Sequence, residues 1–296
     1  MHDFFDPTKN PVGFAAPFFL LTVALELAAL KWLDHDDNIT GYAFKDARAS
    51  ILMGLGSLVT TAVFKLLFFG LFVLLYDKVA PWHLPNTWWA FALTLLLVDL
   101  SYYWQHRFVH RARVGWAAHQ AHHSSEYMNF GTALRQKWNP WFDVFFLIPL
   151  PLLGVSPGIM YLGLGINLIF QFFVHTETVD RLPRPIELVF NTPSHHRVHH
   201  GSDEIYLDRN YAGILIIWDR MFGSFQPELF RPKYGLTHQV DTYNLIKLEY
   251  GHYADLFRDV RRARSWRVKL GYLFMPPGWE PAPSAGAAPE SVPAGS

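Results

Sequence analysis

The chain alternates between long apolar runs and polar segments. Residues 14–33, residues 51–76 and the run that begins at Trp88 are each long enough to cross a bilayer core, which takes about 20 apolar residues. The last apolar block, 141–174, contains PLPLLGVSPG, whose prolines and glycines should divide it into two arms. We therefore predict an all-α integral membrane protein with about four transmembrane helices. Its last pair forms either two full crossings or a re-entrant hairpin.

Polar residues interrupt or extend the apolar runs in two places. Glu26 interrupts the first apolar run, and we expect it to face the interior of the bundle. The third run continues without glycine or proline into His106 and His110, so we predict that these histidines lie on an exposed extension of the same helix.

The remaining segments are shorter or more polar. Residues 211–225 are apolar but too short to span, which favours an interfacial helix. Residues 244–274 have the pattern of a soluble amphipathic helix whose arginines suit anionic lipid. The composition of 281–296 is typical of a disordered tail. We therefore expect one membrane-embedded domain over residues 1–280, with its histidine-rich core at 100–225.

The basic residues of the polar segments predict an orientation. Most of them fall in the loops 34–49, 105–140 and 176–211, which the predicted topology places on one face of the membrane. They are Lys45, Arg48, Arg107, Arg111, Arg113, Arg135, Lys137, Arg181, Arg184, Arg197 and Arg209. Little besides Lys9 and Lys78 lies on the other face, so the positive-inside rule makes the histidine face cytosolic.

Composition narrows the chemistry. The chain has no cysteine, which excludes disulfides, thiolate metal ligands and a cysteine nucleophile. Its 25 basic and 25 acidic residues balance, so nothing favours nucleic acid as a partner. Charged residues and aromatic residues each make up 17% of the chain, which suits a bilayer. The N-terminal segment lacks the basic region of a cleavable signal peptide.

The histidines are spaced like metal ligands. His106 and His110 form an HxxxH pair, two HxxHH boxes follow, and His175 stands alone between those boxes. The boxes are His119, His122 and His123, and then His196, His199 and His200. Residues three or four apart share one face of a helix, so we expect each set to point one way. Nine imidazoles exceed the needs of one four-coordinate zinc ion and match two metal ions with positions left open.

Two metals beside an apolar bundle suggest redox chemistry on a lipid. Two ferrous ions can share the reduction of dioxygen, whereas zinc is redox-inert. A structural or stored zinc site is the non-enzymatic alternative, but such sites are closed and usually have four ligands. A transporter with a histidine relay would need its histidines inside the spans. Because no flavin or cytochrome motif is present, the electrons of an oxygenase would come from a separate donor.

Other polar residues are candidates for supporting roles. Gln171 lies one turn before His175, where it can face a metal or its bound water. His195 is a ligand, a partner of a ligand or only the flank of the third box. Glu177, Asp180, Asp208 and Asp219 are candidates for orienting ligand rings, or else they cap helices and pair with arginines. Asn129 and Tyr127 either contact substrate or metal or serve a turn. We expect His2, His35, His83, His252 and His238 to lie apart from the site.

At this point the order of the motifs resembles a known family. HRFVH, AAHQAHHSSEYMNFGTALRQ, FFVHTE and NTPSHHRVHHG, followed by YLDRNYAGILIIWDRMFGSF, resemble the fatty acid hydroxylase/sterol desaturase superfamily. The likeness covers roughly residues 45–280 and is greatest to the alkylglycerol monooxygenase branch and its bacterial sterol-desaturase-like relatives. It implies an integral membrane enzyme with a non-haem di-iron centre that uses dioxygen and two electrons.

The resemblance also implies a set of ligands. They are His106, His110, His119, His122, His123, His175, His196, His199 and His200. The alkylglycerol branch often has Glu directly after the second histidine of the first box, where this chain has Arg111. Gln171 matches that branch at a position where other members have a further histidine.

We therefore expect an oxygenase that hydroxylates a C–H bond of a lipid of alkylglycerol or fatty-acyl type. Sterol or carotenoid desaturation or hydroxylation is the alternative, because both reactions begin with the same hydrogen abstraction. The partners implied are the lipid, dioxygen and a separate donor such as a reduced pterin, a ferredoxin or a cytochrome.

Overall fold

A computed structural model describes residues 11–32 and 39–282 of the chain. The predictions for His2 and His35, for Lys9 and for most of the tail (283–296) lie outside these residues. Within them the fold is helical, and the only extended pairings are isolated bridges between Phe190 and Leu215 and between Gly201 and Tyr234. The all-helical prediction is confirmed.

The described residues form thirteen helices. They are α1 (Pro11–Trp32), α2 (Phe44–Lys78), α3 (Trp88–Arg111), α4 (Arg113–His123), α5 (Phe130–Ala133), α6 (Trp141–Leu147), α7 (Pro149–Leu152), α8 (Pro157–Val174), α9 (Arg184–Val189), α10 (Pro193–His199), α11 (Ile217–Met221), α12 (Leu245–Arg262) and α13 (Trp266–Phe274).

Among the described residues, α1, α2 and α8 are long and apolar enough to cross a membrane. The helix α3, which we also predicted as a span, lies at the centre of the fold against α4, α6 and α8. It is less apolar than the other three because its second half carries polar and aromatic side chains from Asp99 onward. Glu26, on α1, is buried as predicted.

The last apolar block divides as the sequence predicts. The arm Trp141–Leu152 contains α6 and α7, and α8 begins after a turn at residues 153–156. Gly154 has a φ of 81° in this turn, and a Cβ there would lie 2.6 Å from the carbonyl oxygen of Trp82. A helical arm of this length reaches only about 18 Å, well short of a bilayer core of about 30 Å. The arm therefore has the length of a re-entrant segment.

The length of α2 positions the histidine-bearing helices. Its 35 residues extend about 52 Å, more than a bilayer core requires. The first turns of α2 are therefore free to pack beneath α4 and α12. Ala49 and Met53 form a buried cluster there with Ala121 of α4 and Leu248 of α12.

Three expectations about local structure were wrong. His106 and His110 are only 2% and 6% exposed, because other segments close over this part of α3. Only Ile217–Met221 is helical within 211–225, and Tyr211, Ala212 and Ile216 are buried, so the first half of this segment belongs to the protein interior. The predicted helix 244–274 is two helices, since Ser265 accepts a hydrogen bond from the backbone N–H of Val268 and starts α13.

Candidate metal centre

The fold brings all nine predicted ligands together in two adjoining groups. The first group contains five histidines and the second contains four. The first is His106, His110, His119, His123 and His199, and the second is His122, His175, His196 and His200. In each group one nitrogen per ring lies within 4.8 Å of the others, which is close enough for a shared metal ion. Metal–nitrogen bonds of about 2.1 Å place opposite ligand atoms about 4.2 Å apart.

The helices divide each HxxHH box between the two groups. On α4, His119 and His123 are one turn apart and join the first group, while His122 joins the second. On α10 the arrangement is reversed, because His196 and His200 join the second group and His199 joins the first. The three rings of each box nevertheless lie close together on one side, with ring centroids 4.8–5.3 Å apart, as expected. Each box therefore links the two groups.

Backbone carbonyls fix the orientation of four rings. The Nδ1 atoms of His106, His122, His175 and His199 lie 2.8, 3.0, 2.7 and 3.1 Å from the carbonyl oxygens of Tyr211, Arg135, Gln171 and Arg209. A carbonyl oxygen can only accept, so each Nδ1 must carry the proton. The Nε2 atom of each neutral ring is then left with a free lone pair, which is the form that binds a metal.

The Nε2 lone pairs of the histidines lie close together inside the two groups, which is an arrangement that suits a bound cation. Burial lowers the pKa of His122 to about 4 and that of His199 to about 3, so these rings are neutral. The Nε2 atoms of His122 and His175 face each other at 3.3 Å although both rings use their proton on a carbonyl. Among the described residues, the buried Nε2 atoms of His110, His199 and His200 have no hydrogen-bond partner. A metal ion in each group would satisfy these atoms.

Two fully buried arginines support the boxes. Arg135 forms a 2.5 Å ion pair with Asp46 of α2, and its carbonyl oxygen holds His122. Arg197, inside the third box, pairs with Glu228 at 2.7 Å and donates to the carbonyl oxygen of Val179. The sequence analysis counted both arginines among the basic residues of the loops, but their side chains are only 1% and 0% exposed and are used inside the protein. Arg197 lies between His196 and His199 in the sequence, and this position is a signal that could have indicated its role in supporting the box.

Two buried aspartates hold the segment that orients His106. Asp99 accepts from the backbone N–H groups of Ile214 and Leu215 at 2.7 and 3.0 Å. Asp219 accepts from the backbone N–H groups of Tyr211 and Ala212 at 2.8 and 2.9 Å. The carbonyl oxygen of Tyr211 is thereby fixed against His106. Sequence analysis did not single out Asp99, although a carboxylate within an apolar run is a recognisable signal.

The loop that orients His199 has an unusual backbone. Asp208 and Asn210 have φ values of 60° and 54°, in the left-handed region that Asp and Asn tolerate better than most residues. Asn210 holds this conformation by donating to the carbonyl oxygens of His195 and Gln226. Arg209 lies between the two, and its carbonyl oxygen accepts from His199.

The carboxylates predicted to orient ligand rings have other partners. Glu177 accepts from the N–H and hydroxyl of Thr40 and from the hydroxyl of Tyr234. Asp208 pairs with Arg111 at 2.9 Å, and Asp180 is exposed beside Arg231. These carboxylates stabilise the surrounding loops. Backbone carbonyl oxygens, rather than these carboxylates, orient the histidine rings.

Three further predicted residues flank the centre without joining its groups. His195 lies 3.1 Å from Glu187, which sequence analysis did not single out. Burial lowers the pKa of His195 to about 4, although Glu187 acts to raise it. Asn129 caps α5 by accepting from the N–H of Thr132, which is the turn role weighed for it. The Gln171 side chain donates to Asn167 and lies in the wall of a cavity.

The remaining histidines lie outside the two groups. His83 and His238 are exposed and lie apart from the site, as expected. His252 also lies apart from the site and is half-buried, because α12 packs against α4. Burial lowers the pKa of His252.

A cavity of about 1260 Å³ reaches the histidines. Its wall contains His119 and His122 at one end, and apolar side chains of α1, α2 and α8 supply much of the rest. This volume exceeds the roughly 300–1,000 Å³ of an ordinary small-molecule site. An elongated apolar molecule suits a cavity of this size and composition.

Comparisons with known proteins agree with this geometry. The fatty acid hydroxylase family profile matches residues 91–224, which contain all nine histidines of the two groups. No solved structure matches the chain. The relatives named alkylglycerol monooxygenase include proteins of Danio rerio, Homo sapiens and Xenopus tropicalis. The Danio rerio protein is 40% identical over 275 residues, which cover 91% of this chain and 60% of that protein.

The other two relatives are similar to the chain over comparable stretches. The Homo sapiens protein is 36% identical over 290 residues, which cover 94% of this chain and 62% of that protein. The Xenopus tropicalis protein is 42% identical over 214 residues, which cover 72% of this chain and 47% of that protein. This chain thus spans less than two thirds of the length of each relative. The chain thus contains a fatty acid hydroxylase domain at residues 91–224, and over most of its own length it is homologous to alkylglycerol monooxygenases.

Proposed function

We propose that the protein is a membrane-bound oxygenase that hydroxylates a C–H bond of a lipid of the alkylglycerol type. One observation carries this proposal: two adjoining groups of neutral imidazoles border a large apolar cavity. The fatty acid hydroxylase domain and the names of the relatives support the same reaction.

The two groups suit two iron ions. His106, His110, His119, His123 and His199 would hold one ion, and His122, His175, His196 and His200 would hold the other. Imidazole suits iron, and nine nitrogens leave coordination positions open on two ions. Iron bound there would supply the activation of dioxygen. In the balanced reaction one oxygen atom enters the lipid and the other leaves as water, with two electrons and two protons from a separate donor.

The chain's own residues prepare the centre for this chemistry. Carbonyl oxygens fix the proton of four rings on Nδ1, so that the lone pairs on Nε2 are directed into the groups. Burial keeps the imidazoles neutral and excludes bulk water. The cavity would deliver the lipid from the bilayer to His119 and His122.

Orientation in the membrane is part of the proposal. Lys45, Arg48, Arg107 and Arg181 lie in segments at the histidine end of the fold, which supports a cytosolic site by the positive-inside rule. A reduced pterin, a ferredoxin or a cytochrome on that side would supply the electrons.

Metal content and turnover test the proposal together. The full-length protein is expressed in iron-supplemented cells, purified in detergent and compared with His199→Ala and with His238→Ala as a surface control. We expect about two irons per chain, fewer in His199→Ala and no change in the control. Reduced protein should then consume oxygen and hydroxylate an alkylglycerol. Stoichiometric zinc that persists under iron supplementation, without oxygen uptake, would favour a structural zinc site.

A further inference from the structure

The wall of the cavity is polar where it meets the histidines. This end, which contains His119 and His122, is also lined by Gln105 of α3, by Asp143 of α6 and by Lys137, which precedes α6. Gln105 directly precedes His106, and Lys137 lies two residues after Arg135, whose carbonyl oxygen holds His122.

Away from this end the wall is largely apolar over a considerable length. On α8 the cavity extends from Gln171, one turn before His175, to Gly158. Thirteen residues of helix correspond to about 20 Å. A single elongated lipid would therefore place one end among the polar side chains beside the histidines and its chain along α8.

The polar side chains form one hydrogen-bonded cluster. Asp143 Oδ1 accepts from Gln105 Nε2 at 2.9 Å and from Lys137 Nζ at 2.6 Å. Asp143 Oδ2 accepts no hydrogen bond from the described residues, and the lysine ammonium has further protons to donate. The side chains of Lys137 and Asp143 are 17% and 31% exposed, so the pair is not sealed within protein.

This cluster has the chemistry to recognise hydroxyl groups. The free carboxylate oxygen can accept a hydrogen bond from one hydroxyl group, while the neighbouring ammonium donates a hydrogen bond to the oxygen of a second hydroxyl group. The lysine and aspartate charges offset each other, so the cluster offers no excess positive charge to a phosphate. An uncharged head group with two adjacent hydroxyls matches it better than a phosphorylated one.

We propose that Gln105, Lys137 and Asp143 bind the hydroxyl-bearing, uncharged head group of the lipid. The head group then lies beside His119 and His122, and the alkyl chain extends along α8 toward Gly158. This inference rests on the proposed function for the identity of the site, and it adds the residues that recognise the head group of the lipid.

The cavity also offers an opposite orientation. Lys65 of α2 lines the wall about 17 Å along that helix from Gly54, which touches Leu134 at the histidine end. Its Nζ lies 5.4 Å from the ring centroid of Tyr161. A lipid held at Lys65 by an anionic head group would present its chain, rather than its head, to the histidines.

Equilibrium binding distinguishes these orientations without requiring turnover. The probes are a 1-O-alkylglycerol, the same lipid with both hydroxyls methylated, and the same lipid with a phosphorylated head. Dissociation constants are measured by titration of the detergent-purified full-length protein. We expect the free diol to bind at least tenfold more tightly than either modified lipid. The comparison uses the unaltered chain, so it does not depend on whether a variant folds.

Variants then assign the effect to the cluster. Asp143→Asn should weaken binding of the diol about tenfold and leave the methylated lipid unaffected. Asp255→Asn, which removes the carboxylate of an exposed ion pair with Arg258, is the matched control and should change neither constant. Unchanged iron content and thermal unfolding would show that Asp143→Asn acts on the ligand.

Two results would overturn the proposal. One is equal affinity for the diol and the methylated lipid. The other is tighter binding of the phosphorylated lipid that is lost in Lys65→Met. The proposed function fails separately, if a protein that binds the diol hydroxylates no lipid when iron-loaded and reduced.

Discussion

The Nε2 atoms of His122 and His175 face each other at 3.3 Å, although each ring donates its Nδ1 proton to a backbone carbonyl. Two lone pairs held at this distance repel each other unless a cation lies between them. The fold therefore holds these rings in an arrangement that metal binding relieves.

Removal of metal should lower stability. A metal present at about 1,000 times its dissociation constant stabilises the folded state by about 4 kcal/mol. We expect chelation to lower the unfolding temperature of the detergent-purified protein and iron to restore it. In His175→Ala one lone pair of the facing pair is lost, so the shift should be smaller than in the unaltered chain. An equal shift in both proteins would contradict a role for this pair.

The division of the boxes predicts two separable metal sites. His110→Ala alters only the group of five histidines, and His196→Ala alters only the group of four. We expect each variant to lose about half of its bound iron and the double variant to lose nearly all of it, as measured by elemental analysis. His83→Ala, at an exposed histidine, is the control. Retention of two irons in either single variant would argue against this division.

The ion pair within the third box should be important for stability. Arg197 is fully buried and bonds to both carboxylate oxygens of Glu228. Removing one partner of a buried pair typically costs about 3–5 kcal/mol, because the other charge is left uncompensated. We therefore expect Glu228→Leu to lower the unfolding temperature strongly and to reduce iron content.

The exposed pair between Arg258 and Asp255 is the matched comparison. Its partners are about half exposed and 2.8 Å apart. Such pairs contribute about 0–1 kcal/mol, so Asp255→Leu should unfold at nearly the temperature of the unaltered protein. Similar losses in the two variants would show that burial does not distinguish these pairs.

The far end of the cavity should limit the length of the lipid chain. Gly158 lines the cavity, and a Cβ there would meet nothing within 4 Å. We expect Gly158→Leu to weaken binding of long-chain lipids several-fold and to spare short-chain ones. Gly70→Leu is the control, because Gly70 also has open space but does not line the cavity. Equal effects on both chain lengths would contradict the proposed direction of the chain.

The attachment of α12 should depend on pH through Glu249. Burial raises the pKa of this carboxyl group from 4.5 to about 7, while its Oε1 accepts from the N–H of Trp138 and from the side chain of Asn139. Because the pKa is higher in the folded state, the protonated form is the one that folding favours. The stabilisation is complete below about pH 4.5 and is lost as the pH rises through 7.

A Gln variant tests this dependence. Glu249→Gln retains an acceptor for Trp138 and Asn139 but does not ionise. Each pKa unit is worth about 1.4 kcal/mol, so the unaltered protein should lose stability between pH 5 and pH 8 relative to this variant. Thermal unfolding at the two pH values measures the difference. Parallel pH profiles would exclude Glu249 as the responsible group.

Several elements of the fold follow from local pattern. The spans α1 and α2 are long apolar runs, and the turn before α8 follows from its prolines and glycine. These features depend on neighbours in sequence, through backbone restriction and the need to satisfy hydrogen bonds within a helix in lipid. The two HxxHH boxes likewise identify ligand candidates from spacing alone.

Long-range contacts explain where these expectations were wrong. Residues 211–225 have the composition of an interfacial helix. However, Asp99 and Asp219 accept hydrogen bonds from backbone N–H groups of this segment, and its first half is buried and non-helical. Asp99 is more than a hundred positions away from the groups that it holds. No local window contains both partners of such a bond.

The sequence by itself determined the long apolar helices α1 and α2 and the nine candidate ligands, because apolar length and histidine spacing are local properties. Only the tertiary structure decided that His122 belongs to a different group from the other two histidines of its box. The same holds for His199 in the third box. The tertiary structure also decided that carbonyl oxygens, rather than the predicted carboxylates, orient four of the rings. These choices depend on the angles at which α3, α4, α8 and α10 pack, and many distant contacts together fix those angles.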